Sequence, residues 1–352
     1  MCGCCYFQSF RHLLEGLHSG NETDECTVSS QTIQFSIQPK AGSSTVKMQD
    51  ITSSKIGKDG EVKTGWVHSS PNTVSVRGQK YLSDNQKIPS PGSLYELIEV
   101  DAVHSKEYFT NIGEKVTVPE IESFNDDESH CKFVAPSLLI ISFALPTATQ
   151  LFKKSNERRE EGYIVTGYYR MRKETRKILK TISNPQYDPS RHNEELCNEI
   201  GMEHFRKLNA VRLWEQWCTE AQTDPEMQKR LKFIPRGDNL KDLGVPEWIC
   251  KYNGKPMLIK RPGETSFLYR NLGQSMMEIG VSLHPLPYLF KKAMAYLRNT
   301  HFPNMLMTFS FLIEGRDEDE LPEVLLGDPF ILPYVESETV QTADCFFSKP
   351  RI

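Results

Sequence analysis

Cys2, Cys4 and Cys5 have the spacing and the company for one reaction, thioester formation with a fatty acid. Cysteines beside an amphipathic helix are substrates for S-acylation. Here Phe7, Phe10, Leu13, Leu14 and Leu17 recur at intervals of three and four, so they fall on one helical face. One or two fatty chains together with that helix would hold the protein at a membrane. The competing reading is an unmodified, frayed terminus. N-myristoylation is not supported, because Gly3 does not directly follow the initiator Met.

Other residues offer weaker chemistry. Ser282 and His284, two apart on a predicted strand, share a face and could pair as nucleophile and base. Gly280-Val-Ser282-Leu-His284 starts like a nucleophile elbow but lacks its closing Gly, and nothing marks an acid partner or an oxyanion hole. A surface Ser and a turn His is the simpler reading. Arg172, Lys173, Arg176 and Lys177 form a basic run that could meet anionic lipid headgroups at about 1 kcal/mol per charge, against the simpler account of a solvated helix face. Asp317, Glu318, Asp319, Glu320 and Glu323 could imitate metal ligands, yet consecutive carboxylates at a helix start are better explained by the helix dipole. Phosphate-binding glycine loops are missing, as are H-E-x-x-H and any second Cys or His pair to complete a zinc site. No cofactor, no metal and no enzymatic activity are therefore expected.

These residues need elements to position them. Strands are predicted at 74–78, 93–103, 133–145, 162–170, 230–234, 265–271, 275–283 and 305–313, from their apolar, β-branched and aromatic content. The strands at 133–145 and 162–170 should pair as neighbours. The basic run is read as helical. Phe205, Leu208, Val211, Trp214, Trp217 and Ala221 recur at helical spacing and predict a helix over 203–221 with its tryptophans in the core. Leu286, Leu289, Phe290, Ala293, Met294 and Leu297 predict a second, from Pro287 to before Pro303. Asp224-Pro225 starts a short helix, and Asn253-Gly254 predicts a hairpin turn within 247–260, with Pro256 at a sheet edge. Asp317 to Glu320, Pro322 and Gly327 suit the start, first turn and C-terminal cap of one more helix.

The chain has 352 residues, 38% of them hydrophobic, enough to bury a sizeable core. A net charge of -4 gives no overall pull toward nucleic acid. The nine cysteines are an odd number and, after the first few residues, scattered singly, as expected of reduced thiols in a cytoplasmic protein. The longest apolar run, 133–145, is shorter than the roughly 20 residues that span a bilayer. Residues 1–65 are mostly polar and read as a disordered tail; 66–335 read as one domain and 336–352 as a second tail.

Phe311-Leu-Ile-Glu-Gly-Arg-Asp-Glu-Asp-Glu-Leu-Pro-Glu-Val-Leu-Leu-Gly327 strongly resembles the ending of the C-terminal domain of plant enhanced-disease-resistance-two proteins. Val76-Arg-Gly-Gln-Lys-Tyr-Leu82, Leu94-Tyr-Glu-Leu-Ile-Glu-Val-Asp101, Pro136-Ser-Leu-Leu-Ile140, Arg230-Leu-Lys-Phe-Ile-Pro235 and Lys255-Pro-Met-Leu-Ile259 agree in order. The resemblance covers about residues 66–335 and departs from the plant pattern at Leu243-Gly-Val-Pro-Glu-Trp248, where a Gly-Pro-Trp segment is replaced. In the plant proteins this domain follows a PH and a START domain that bind lipids at membranes. The residues before the match here are too few for either, so those activities do not transfer by residue. The domain itself has no assigned catalytic residues. The expected fold is α+β, a curved, mostly antiparallel sheet covered by the helices at 203–221 and 286–299, with a lipid-cradling, helix-grip-like arrangement as one form it could take. The expected function is a non-enzymatic lipid-binding or membrane-peripheral module of otherwise unassigned role. Its expected partners are a lipid, a membrane surface or another protein. A scaffold without a ligand cavity is the alternative, and a serine hydrolase the remote one.

Overall fold

Along Leu306–Ile313 the side chains alternate between two environments, as the pleat of a strand requires. Met307, Phe309, Phe311 and Ile313 enter the main core, whereas Leu312 joins a separate cluster with Val74, Val76, Ile234 and Leu325. Apolar packing on both faces makes this strand a central one. In a computed structural model, which describes residues 38–48, 65–121, 133–146, 161–285, 292–294, 296–297, 300–301, 304–333 and 340–348, it is the eleventh of thirteen strands. The described residues all belong to one compact unit, Ser36–Ile352.

The strands are β1 (Val67–His68), β2 (Ser75–Arg77), β3 (Lys87–Pro89), β4 (Ser93–Ser105), β5 (Leu138–Pro146), β6 (Gly162–Met171), β7 (Leu231–Gly237), β8 (Met257–Leu258), β9 (Ser266–Asn271), β10 (Met276–Ser282), β11 (Leu306–Ile313), β12 (Leu325–Gly327) and β13 (Phe330–Pro333). Eleven of them form one sheet in the order β1-β13-β11-β12-β4-β6-β5-β10-β9, and β2 and β3 form a separate pair. Met307, Thr308 and Phe309 pair with β13 on one edge of β11 and with β7 on the other, and β8 lies beyond β7. Only β5 with β10 and β4 with β12 run parallel among the named strands. The fold is thus α+β with a mostly antiparallel sheet, and the sheet does not close into a barrel. As expected, β5 and β6 are antiparallel neighbours.

The longer helices are α1 (Lys173–Ile182), α2 (Pro189–Ile200) and α3 (Leu208–Glu220). The spacing of Val211, Trp214 and Trp217 puts all three on the buried face of α3, with the two indoles stacked at 5.3 Å. Trp214 Nε1 donates to the Tyr95 hydroxyl at 3.0 Å, and that hydroxyl donates to the Pro136 carbonyl at 2.7 Å. The indole thereby packs on the sheet without leaving its N–H unpaired. Each fully buried aromatic ring stabilises by about 1.5–3 kcal/mol, so this face fixes α3 to β4.

Several expectations are corrected. The helix over 203–221 is two, Met202–Phe205 and α3, separated where Lys207 turns inward toward the Ser93 carbonyl. The 247–260 hairpin is a short helix, Glu247–Cys250, followed by turns and β8. Its Asn253 carboxamide is used elsewhere, bonding both the N–H and the carbonyl of Gly237 at 2.8 Å. β8 pairs with β7 alone, which fits the edge position suggested by Pro256. The helix expected after Asp317 is one 3-10 turn, Glu318–Glu320, closed by a reciprocal cap between Asp317 and Glu320. Leu321 is already extended, and Gly327 ends a strand, not a helix. In the helix expected over 286–299, residues 292–294 and 296–297 are helical, as is 300.

Both tails contribute to the folded unit. Asp101 accepts from the amides of Gly42 at 2.9 Å and Ser44 at 2.8 Å, docking residues 38–48 on β4 with Ala41 and Val46 buried. After the 336 boundary, the helix α4 (Ala343–Phe347), capped by Thr342, buries Phe346. Polar composition hid these segments, because a few apolar anchors hold each of them.

Candidate functional site

The end of β7 turns away from the sheet at Gly237, where a Cβ would lie 2.5 Å from the Leu240 side chain, so any larger residue would have to displace Leu240. The chain then passes over the sheet, and Gly254 N–H bonds the Pro235 carbonyl at 3.1 Å to bring it back. Between this cover and the sheet lies a cavity of about 400 Å³. Phe233 of β7 and Met307 and Phe309 of β11 form its floor; Leu240, Trp248 and Ile249 come from the cover, and Ala293, Met294 and Leu297 from the helical segment. Leu145 and Leu283, at the ends of neighbouring parallel strands, close its inner side. Its volume falls within the roughly 300–1,000 Å³ of small-molecule sites, and its lining is mostly apolar.

The polar side chains of the lining are Arg236, Asn253 and Lys255, beside the amphipathic Trp248 and Tyr252. Arg236 is engaged by Asp238 at 2.6 Å and by the Thr73 carbonyl. Tyr252 lines the cavity yet is 46% exposed, with Lys251 Nζ 5.1 Å and Lys255 Nζ 5.2 Å from its ring centre. Tyr296 stands edge-on to Trp248 at 6.5 Å.

On the opposite face of β7 and β11 the chemistry is ionic. Lys232 is buried and contacts Glu323 at 2.5 Å and Glu314 at 3.6 Å, and Arg77 reaches Glu314 at 3.2 Å. Arg230 donates to the Glu314 carbonyl and pairs with Glu320. Burial pulls the Lys232 ammonium below its ordinary pKa, opposed by Glu323. Burial pushes the Glu314 carboxyl up, but the Arg316 hydrogen bond and the charges of Lys232 and Arg77 outweigh it and hold it below the usual range. Glu320 is likewise lowered, burial being outweighed by Arg230 and the Arg316 amide. The acidic run is therefore more than a helix start: Glu314, Glu320 and Glu323 serve as counter-ions to β2 and β7.

The basic run is divided by its helix. Arg172 faces inward and grips Asp328 through contacts of 2.8 and 2.6 Å. Arg176 lies over the Phe133 ring at 5.9 Å, Lys177 pairs with Glu199 at 2.9 Å, and Lys173 is exposed. Ser282 and His284 are 3% and 5% exposed, so the serine expected at the surface is buried where β10 ends. Cys2, Cys4 and Cys5 lie outside the described residues. Among the described residues no group of three or more His, Cys, Asp or Glu side chains is placed to hold a metal, and no helix is long and apolar enough to cross a membrane.

The cavity is not legible in the sequence, because its walls come from positions as distant as Leu145 and Phe309. The available signal is Phe233, Met307 and Phe309 on one face of two predicted strands. Among known proteins, the family profile described as "Protein ENHANCED DISEASE RESISTANCE 2, C-terminal" matches residues 66–329. No curated protein and no solved structure matches the chain.

Proposed function

The chain belongs to the family of the C-terminal domain of Protein ENHANCED DISEASE RESISTANCE 2, and from that premise we propose that it is a non-enzymatic lipid-binding module whose cavity takes the hydrocarbon part of a lipid. The observation that carries this reading is the 400 Å³ apolar cavity between β7, β11 and the 240–257 cover. Each methylene transferred from water into such a site gains about 0.8 kcal/mol, so a short length of acyl chain suffices for tight binding. The burial of Ser282 and His284 supports a role without hydrolysis. Attachment at a membrane periphery would be reinforced by acylation of Cys2, Cys4 and Cys5.

Mass spectrometry of lipids extracted from the purified chain, beside a mock purification, tests this. One lipid per chain is expected, lost in Ala293→Trp, which fills the cavity. No lipid above the mock would overturn the reading and leave a protein-interaction scaffold. Replacing the three cysteines by Ser tests the anchor separately: the protein should move from membrane to soluble fractions, and an unchanged distribution would remove it.

A further inference from the structure

Resting on that lipid-binding reading, we infer that the mouth of the cavity is itself the surface that docks on an anionic bilayer, through Tyr252, Lys251 and Lys255. Tyr252 belongs to the cavity wall and to the surface at once, so an acyl chain entering beside it would leave its headgroup at that ring. Lys251 and Lys255 are both exposed and flank the same ring at 5.1 and 5.2 Å, which places two cations where the phosphates of a bilayer would lie. Tyr296, 37% exposed and braced on Trp248, adds a second ring at this end of the molecule. Tyr and Trp favour the boundary between hydrocarbon and water, and lysines are drawn to anionic headgroups, so the mouth combines the two chemistries of a membrane interface.

Of the acids in and beside this cover, Asp238 is engaged by Arg236 and by Thr308, while Asp242 and Glu247 are exposed, so among the described residues the two lysines face two free carboxylates and the binding must be read against salt. The basic run of α1 is less suited, since Arg172 is turned onto Asp328 and Lys177 is held by Glu199. It also lines no part of the cavity.

The test is sedimentation of the full chain with vesicles of phosphatidylcholine, alone or with about 30% phosphatidylserine, the anionic lipid of cytoplasmic leaflets. Binding should require the anionic lipid and fade as salt rises. The double variant Lys251→Gln, Lys255→Gln should bind about thirty-fold more weakly, the loss that about 1 kcal/mol per lysine converts to. Lys173→Gln, Lys177→Gln should bind within about three-fold of the unmodified chain, because both lysines lie on α1, which lines no part of the cavity. The lysines of the mouth are exposed, so an unchanged melting temperature will verify that their replacement leaves the fold intact. Failure of the unmodified chain to bind anionic vesicles, equal binding by the mouth variant, or a loss that follows Lys173 and Lys177 would each overturn the inference. Lipid recovered from the same preparations decides the cavity reading independently: a chain that carries lipid but ignores the mouth lysines keeps the cavity and loses the docking surface.

Discussion

The two faces of the β7–β11 pair solve opposite problems with the same backbone. On one face Phe233, Met307 and Phe309 border an open apolar cavity; on the other, one residue out of step, Lys232 sits in a cage of Glu314 and Glu323 that borders a smaller pocket of about 190 Å³. An apolar wall leaves a void at the cost of lost contacts, whereas an unpaired buried charge is far more expensive, so an ionic face tolerates no missing partner. The contrast separates two chemistries: the side whose cover comes from short, turn-rich segments offers room to an apolar group, whereas the smaller pocket opposite is lined by Arg77, Lys232, Glu314 and Glu323.

The comparison breaks most readily at the ionic face. Glu323→Ala strips Lys232 of its closest counter-ion and should cost about 3 kcal/mol, read as a fall in the urea midpoint, because a buried charge is left with only the more distant Glu314. Lys232→Met with Glu323→Leu should recover most of it; a single variant as stable as the double would mean that the cage is solvated. Phe309→Ala, on the cavity side, should cost about 3 kcal/mol, at the low end for Phe truncation, and should alter which lipids co-purify. No change in the bound lipid would place the ligand elsewhere.

Acid sharpens the contrast. Glu314 and Glu320 have folded pKa values below those of the open chain, so their stabilisation is present above the unfolded value of about 4.3 and is lost as pH falls through the folded values. Stability measured from pH 6 downward should decline below about 4.3, and Glu314→Gln with Glu320→Gln should flatten that decline. The smallest effect is expected at the surface. Lys177→Ala removes an exposed pair with Glu199 and should change stability by about 0.5 kcal/mol or less.

Most of the sheet is legible in the sequence, because β4, β5, β6, β10 and β11 carry runs of β-branched and aromatic residues that few other structures accommodate. The face of α3 is legible from the spacing of its tryptophans. The polar helix α2 escapes such a reading, although Asp188 and Pro189 start it with the same cap-and-proline signal that marks the helix at Asp224 and Pro225. The hairpin expected at Asn253-Gly254 fails for another reason. A positive φ at Gly254 is present, but the asparagine side chain ties the turn to Gly237 and the segment before it, Glu247–Cys250, is helical where a strand would be needed. Local chemistry names a turn, while tertiary bonds decide what it joins. The site is the least legible part, since a cavity is a property of several segments at once, and the basic run is divided because one of its arginines is needed by Asp328.

Met48 bridges to Trp66, and the Trp66 N–H bonds the Lys47 carbonyl at 2.9 Å. Met48 and Trp66, the described residues on either side of 49–64, therefore lie side by side. Doubling the length of 49–64 would cost only about 0.6 kcal/mol in closure entropy. Cutting the chain between Met48 and Trp66 would leave residues 38–48 attached to the domain by the Asp101 hydrogen bonds and the packing of Ala41 and Val46, with no covalent link to Trp66 and the strands beyond it.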